Sequence, residues 1–64
     1  MLSIEVGKSY IIRSSKGDVN VFPLSIEDDT VCVKMYKPST EESYHLKFSK
    51  ESLENHPSIE VLDA

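Results

Sequence analysis

The chain has 64 residues, 39% of them hydrophobic, which is room for one small core and a single domain over residues 1–64. Its formal net charge is −4, from eleven acidic and seven basic residues without a basic tail, which disfavours non-specific nucleic-acid binding. No apolar run approaches the roughly 18 residues that a membrane-spanning helix needs, and no leader of basic and then apolar residues is seen, so we expect no contact with a membrane. The single cysteine cannot form an internal disulfide, so we expect a cytoplasmic protein.

The first predicted strand covers Ser9–Arg13, where Tyr10 and Ile12 alternate with two residues of the opposite face and are expected to point inward. The polar segment Ser14–Asp18 follows it and contains Gly17, which accepts a positive φ. The sequence therefore predicts a strand that ends in a turn.

The second predicted strand runs from about Val19 to Ile26, with Phe22, Leu24 and Ile26 on one face. Pro23 has no backbone donor, so we expect it at a sheet edge or at a bulge. If inward and outward residues alternate without interruption along this strand, Phe22 and Leu24 lie in the core.

Period-two alternation is clearest in two further predicted strands, Thr30–Tyr36 and Tyr44–Phe48. The inward sets are Val31, Val33 and Met35 in the first, and Tyr44, Leu46 and Phe48 in the second. Matching the inward faces requires paired positions whose numbers sum to an odd number, and the pairs Ile26–Val31, Met35–Tyr44, Val33–Leu46 and Val31–Phe48 satisfy this. The connections are then a two-residue turn, Asp28-Asp29, and the loop Lys37–Glu42.

The pattern changes after Phe48. Ser49 is a suitable N-cap for a helical turn over Lys50–Asn55, in which Leu53 faces inward, and Pro57 ends it. Ile59–Leu62 forms the last short strand. The acidic groups Glu27–Asp29 and Glu41-Glu42 fall at turns, where solvated carboxylates are the expected interpretation.

Two segments carry a resemblance to a known fold. Gly7–Ile12 resembles the glycine-led opening strand of SH3-like small barrels, and Ser49–Leu62 resembles the turn that crosses to their closing strand. The resemblance implies a mainly β, SH3-like barrel of about five short antiparallel strands with one helical turn before the last. It points to no specific family, and an OB-like or an open meander-plus-helix arrangement fits the same elements.

The outward-facing residues of the two alternating strands are the main candidate site. The predicted register places Lys34 opposite His45 and Cys32 opposite Lys47, with Tyr36 at the end. Tyrosine supplies rigid contact area, and lysine and histidine supply charge-assisted hydrogen bonds. We therefore expect an accessory or regulatory protein that docks on a larger protein or assembly. Its predicted partner-binding residues are Lys34, Tyr36, His45 and Lys47, with the Lys37–Glu42 loop as a rim.

Catalysis is the least expected class of function. Cys32, His45 and His56 are the only soft metal ligands, and their spacing matches no metal-binding or nucleophile–base motif. We expect no metal, no cofactor and no covalent chemistry. Gly7-Lys8-Ser9 has the ending of a phosphate-binding loop, but it lacks the upstream glycine spacing and precedes a strand.

Two alternatives remain at this point. Lys8, Arg13 and Lys16 could form a nucleic-acid-binding surface, with Lys34 and Lys47 as further contacts. A self-assembling subunit is the other, using a sheet edge and the apolar residues Ile11 and Val21, with room for a small ligand at its interface.

Overall fold

A computed structural model describes residues 2–62, and more than half of these residues lie in strands. The elements are β1 (Ser9–Ile12), β2 (Val19–Glu27), β3 (Thr30–Lys37), β4 (Glu42–Ser49), α1 (Lys50–Glu54) and β5 (Ile59–Leu62). They form one antiparallel sheet in the order β4-β3-β2-β1-β5. The mainly β class, the five strands and the helical turn before the last one are confirmed. The sheet is not closed into a barrel, since β4 and β5 remain its two edges within residues 2–62.

The two predicted hairpin registers are confirmed. Ile26 pairs with Val31, and the pairs Met35–Tyr44, Val33–Leu46 and Val31–Phe48 all occur. The turn between β2 and β3 is formed by Asp28 and Asp29, and Asp28 has a left-handed φ of 54°. Asp adopts this region more readily than most residues, which accounts for the tight reversal.

The predicted inner face of β2 is wrong for Phe22 and Leu24. Val21 and Pro23 are the buried residues there, whereas Phe22 is half-buried on the other face and Leu24 is 50% exposed. The reason is a register shift between Pro23, which pairs with Val33, and Ser25, which pairs with Cys32. The extra residue, Leu24, reverses the alternation, so that only Ile26 keeps its predicted side. The bulge adjoins Pro23, as expected for a residue without a backbone donor.

The core lies on the inner face of the sheet. Its buried side chains come from four elements and from the segment before β1: Ile4, Tyr10, Val21, Val31, Val33, Met35 and Leu53. Val21 has no exposed surface, which removes it from the predicted self-assembly surface. The buried position of Tyr10 is confirmed.

The helix α1 closes one side of this core through Leu53. The hydroxyl of Ser49 accepts a hydrogen bond from the Ser52 N–H at 3.4 Å, which confirms Ser49 as the N-cap. The helix ends at Glu54, one residue before the predicted end, and Asn55 is its C-cap. Within residues 2–62, no helix has the length and apolar character needed to cross a membrane.

A candidate docking surface on the outer sheet face

Three cross-strand rows on β2, β3 and β4 form the surface that we call the outer face. Each row contains one residue from each strand: Asn20–Tyr36–Ser43, Phe22–Lys34–His45 and Ser25–Cys32–Lys47. The four residues predicted to bind a partner, Lys34, Tyr36, His45 and Lys47, thus lie on one face in neighbouring rows. Lys34, His45 and Lys47 are exposed, and Tyr36 is half-buried.

Phe22 is a member of this face that the sequence analysis placed in the core. It is half-buried, but it is not among the partly buried hydrophobic side chains that pack against the core. Its row adjoins that of Tyr36, and diagonal neighbours on one sheet face lie within reach of aromatic side chains. Ile11, which pairs with Asn20, continues the row of Tyr36 onto β1, and Glu60 of β5 follows it. The signal that could have located Phe22 was Pro23, because a proline-associated bulge changes which residues face inward.

The charge of the outer face differs from that of the whole chain. Its nine residues include two lysines and no carboxylate, although the net charge of the protein is −4. Within residues 2–62, neither Lys34 nor Lys47 forms a salt bridge. The next row on the same side of the sheet is Glu27–Thr30–Ser49, and Glu27 lines a cleft together with Cys32 and Lys47. The three rows of the outer face are therefore cationic and partly aromatic, and a carboxylate borders them at the Lys47 end.

Cys32 and His45 lie in adjacent rows of the outer face. They line a shallow cleft of about 280 Å³ together with Leu46 and Lys47. His56 is elsewhere: it lines an apolar cleft beside Leu53, and its Nδ1 accepts a hydrogen bond from the Ser58 N–H at 3.1 Å. In the part of the chain that the structure describes, no three His, Cys, Asp or Glu residues are grouped in a way that could hold a metal ion.

The basic residues of the alternative surface have carboxylate neighbours. The Nζ of Lys8 is 2.7 Å from a carboxylate oxygen of Glu5. Arg13 donates a hydrogen bond to Glu60 and forms a second ion pair with Asp18 at 3.5 Å. The hydrogen bond to Glu60, followed by the charges of Glu60 and Asp18, raises the pKa of Arg13.

Lys16 lies in the turn between β1 and β2, where it lines a cleft together with Asp18. The ring of Tyr10, the aromatic group nearest to this basic sequence, is in the core and offers no stacking surface. The structure therefore brings the outer-face residues together, and it does not arrange Lys8, Arg13 and Lys16 around an exposed aromatic ring.

No protein-family model, curated protein or solved structure matches this chain significantly. The functional interpretation consequently depends on the geometry and chemistry of the outer face.

Proposed function

We propose that this protein is a small non-catalytic accessory or regulatory protein that docks on a larger protein through its outer face. One observation carries the proposal: Phe22 and Tyr36 lie in adjacent rows, outside the core and beside Lys34, in a set of three rows that contains no carboxylate. Aromatic side chains are enriched at the centres of protein interfaces, whereas solvent-facing sheet surfaces are usually polar.

The chemistry of the outer face suggests the kind of surface it would bind. Lys34 and Lys47 favour a partner that carries carboxylates, and Phe22 and Tyr36 favour apolar groups between them. The turn between β3 and β4, which is shorter than the predicted Lys37–Glu42 loop because these two residues pair in the sheet, would form the rim next to Tyr36. The single, half-buried Cys32 fits a reducing compartment such as the cytoplasm.

For the fold, we propose an SH3-like small barrel in an open form. The pairing of β5 with β1 and the position of α1 between β4 and β5 support this assignment. It carries no argument about function, because one fold hosts many functions.

The test is affinity capture from lysate of the source organism with the tagged protein, with and without nuclease. We expect a stoichiometric protein that remains after nuclease treatment and is lost from the variant Tyr36→Ala/Lys34→Glu. The matched control, Val61→Ala/Lys16→Glu, truncates an exposed apolar residue and reverses one lysine away from the outer face. Circular dichroism of both variants would verify the fold. Equal retention by both variants would contradict docking through the outer face.

A nucleic acid is the second candidate partner. Two half-buried aromatic side chains beside lysines on an antiparallel sheet face are components of a single-strand stacking surface. A partner lost on nuclease treatment, with affinity that falls steeply with salt, would replace the protein-docking proposal. Absence of binding at low salt would exclude the nucleic acid.

Self-assembly is a third outcome, through the free edges of β4 or β5 or through Ile11. Light scattering decides it, since self-assembly makes the average mass rise with protein concentration.

A further inference from the structure

Two turns meet at one end of the sheet and enclose a cleft of about 260 Å³. One turn connects β1 to β2, and the other connects β3 to β4. They approach closely, since a Cβ atom placed on Gly17 would lie 3.4 Å from the Oγ of Ser39. Gly17 also has a φ of 121°, a conformation that other residues rarely adopt. The cleft is thus held between two turns that pack against each other.

Two lysines line this cleft without forming an ion pair to any residue that the structure describes, although Glu42 lies opposite Lys37 in the sheet. Within residues 2–62, neither Lys16 nor Lys37 forms a salt bridge, whereas Lys8, Arg13 and Lys50 all do. The Nζ of Lys37 is 5.9 Å from the centroid of the Tyr44 ring, a cation–π contact that does not cancel the charge of the ammonium group.

The other polar groups of the cleft are three hydroxyls and one carboxylate. The hydroxyls belong to Ser14, Ser39 and Thr40. The Oγ of Ser14 accepts a hydrogen bond from the Lys16 N–H and keeps its own proton to donate. The carboxylate belongs to Asp18, which accepts a hydrogen bond from the Ser14 N–H and shares Arg13, at 3.5 Å, with Glu60. The two ammonium groups and this one carboxylate leave the lining of the cleft with one net positive charge.

We propose that this cleft binds a small phosphomonoester. Two ammonium groups and three hydroxyls provide more hydrogen-bond donors than the two oxygens of a carboxylate ligand could accept from. The three terminal oxygens of a phosphate group match this set of donors better. The volume lies just below the roughly 300–1,000 Å³ of sites for drug-sized ligands, which leaves space for a small organic group beside the phosphate. The proposal does not depend on docking through the outer face.

The experiment is a titration followed by ¹H–¹⁵N correlation spectra, with inorganic phosphate in one arm and phenyl phosphate in the other. We expect saturable shifts at the amides of Gly17, Ser39 and Thr40, and tighter binding of phenyl phosphate. Lys16→Gln and Lys37→Gln should each weaken binding about two- to fivefold, the range for exposed ion pairs.

Matched controls are Lys34→Gln and Lys47→Gln, which remove the same charge from the outer face and should leave the affinity unchanged. An equal loss in the controls would overturn the proposal, because it would show binding to net positive charge. Absence of saturable shifts at tens of millimolar ligand would also overturn it. Equal affinities for the two ligands would refute the assignment of an organic group. The same spectra report whether each variant is folded.

Discussion

The carboxylate of Glu54 accepts a hydrogen bond from the backbone N–H of Ile4 at 2.9 Å, across 50 positions of sequence. The same oxygen accepts a hydrogen bond from the Lys50 ammonium at 2.7 Å. Ile4 belongs to the core, and Leu53 beside Glu54 does too. The Glu54 side chain of α1 therefore holds the segment before β1 against the core.

Removing the carboxylate of Glu54 should lower the midpoint temperature of thermal unfolding. Glu54→Ala leaves the Ile4 N–H and the Lys50 ammonium without this partner. Glu54→Gln is the matched variant, because its amide oxygen can still accept from Ile4 while the charge is lost. We expect the alanine variant to melt clearly below the glutamine variant, and the glutamine variant slightly below the parent. Equal midpoints for the two variants would show that the Ile4 contact does not contribute.

Stability should depend on pH through the same carboxylate. The hydrogen bond from Lys50, followed by the hydrogen bond from the Ile4 backbone, lowers the pKa of Glu54 from its ordinary value of 4.5. The unfolded chain then binds this proton at a higher pH than the folded chain. The contribution is full above the unfolded pKa and is lost as the pH falls through the lower folded pKa.

Chemical denaturation between pH 6 and pH 3, done on the parent and on Glu54→Gln, isolates this contribution. The difference between their unfolding free energies should shrink with acidification. A difference that stays constant would show that Glu54 titrates alike in both states.

The sequence was sufficient for the hairpins because each rests on local alternation. Once Val31, Val33 and Met35 must face the core, parity restricts their partners on β4 to residues of its inward face, and the choice of loop length fixes the register. The bulge at Leu24 could not be obtained this way, since alternation assumes one residue of each strand opposite one of the other. The predicted site residues share a face because they lie on the two regular strands. Phe22 was missed because it lies before the bulge.

Truncations at neighbouring positions of β2 test the bulge. Val21 has no exposed surface, so Val21→Ala should cost about 2 kcal/mol from lost burial and the cavity left behind. Phe22→Ala removes a larger side chain from the outer face and should cost less, about 1 kcal/mol or below. Urea denaturation of both variants measures the two values. If Phe22→Ala were the more damaging variant, unbroken alternation would be the better description of β2.

A similar comparison tests the hydroxyl of Tyr10. Its Oη accepts a hydrogen bond from the Glu5 N–H at 2.9 Å and donates one to the Ser3 carbonyl at 3.0 Å, while the ring has no exposed surface. Tyr10→Phe keeps the ring and removes both bonds. The free energy of unfolding should fall by about 1–2 kcal/mol, because water only partly replaces the hydrogen bonds that the part-buried Glu5 N–H and Ser3 carbonyl lose.

In a domain of this size, each kcal/mol corresponds to a fall of about 4–8 °C in the thermal midpoint. Tyr44→Phe is the matched control, since Tyr44 also packs against the core and its hydroxyl makes no hydrogen bond within residues 2–62. Calorimetry should show a fall of several degrees for Tyr10→Phe and almost none for Tyr44→Phe. Similar midpoints would mean that the segment before β1 is held by the burial of Ile4 and by Glu54, without a contribution from the Tyr10 hydroxyl.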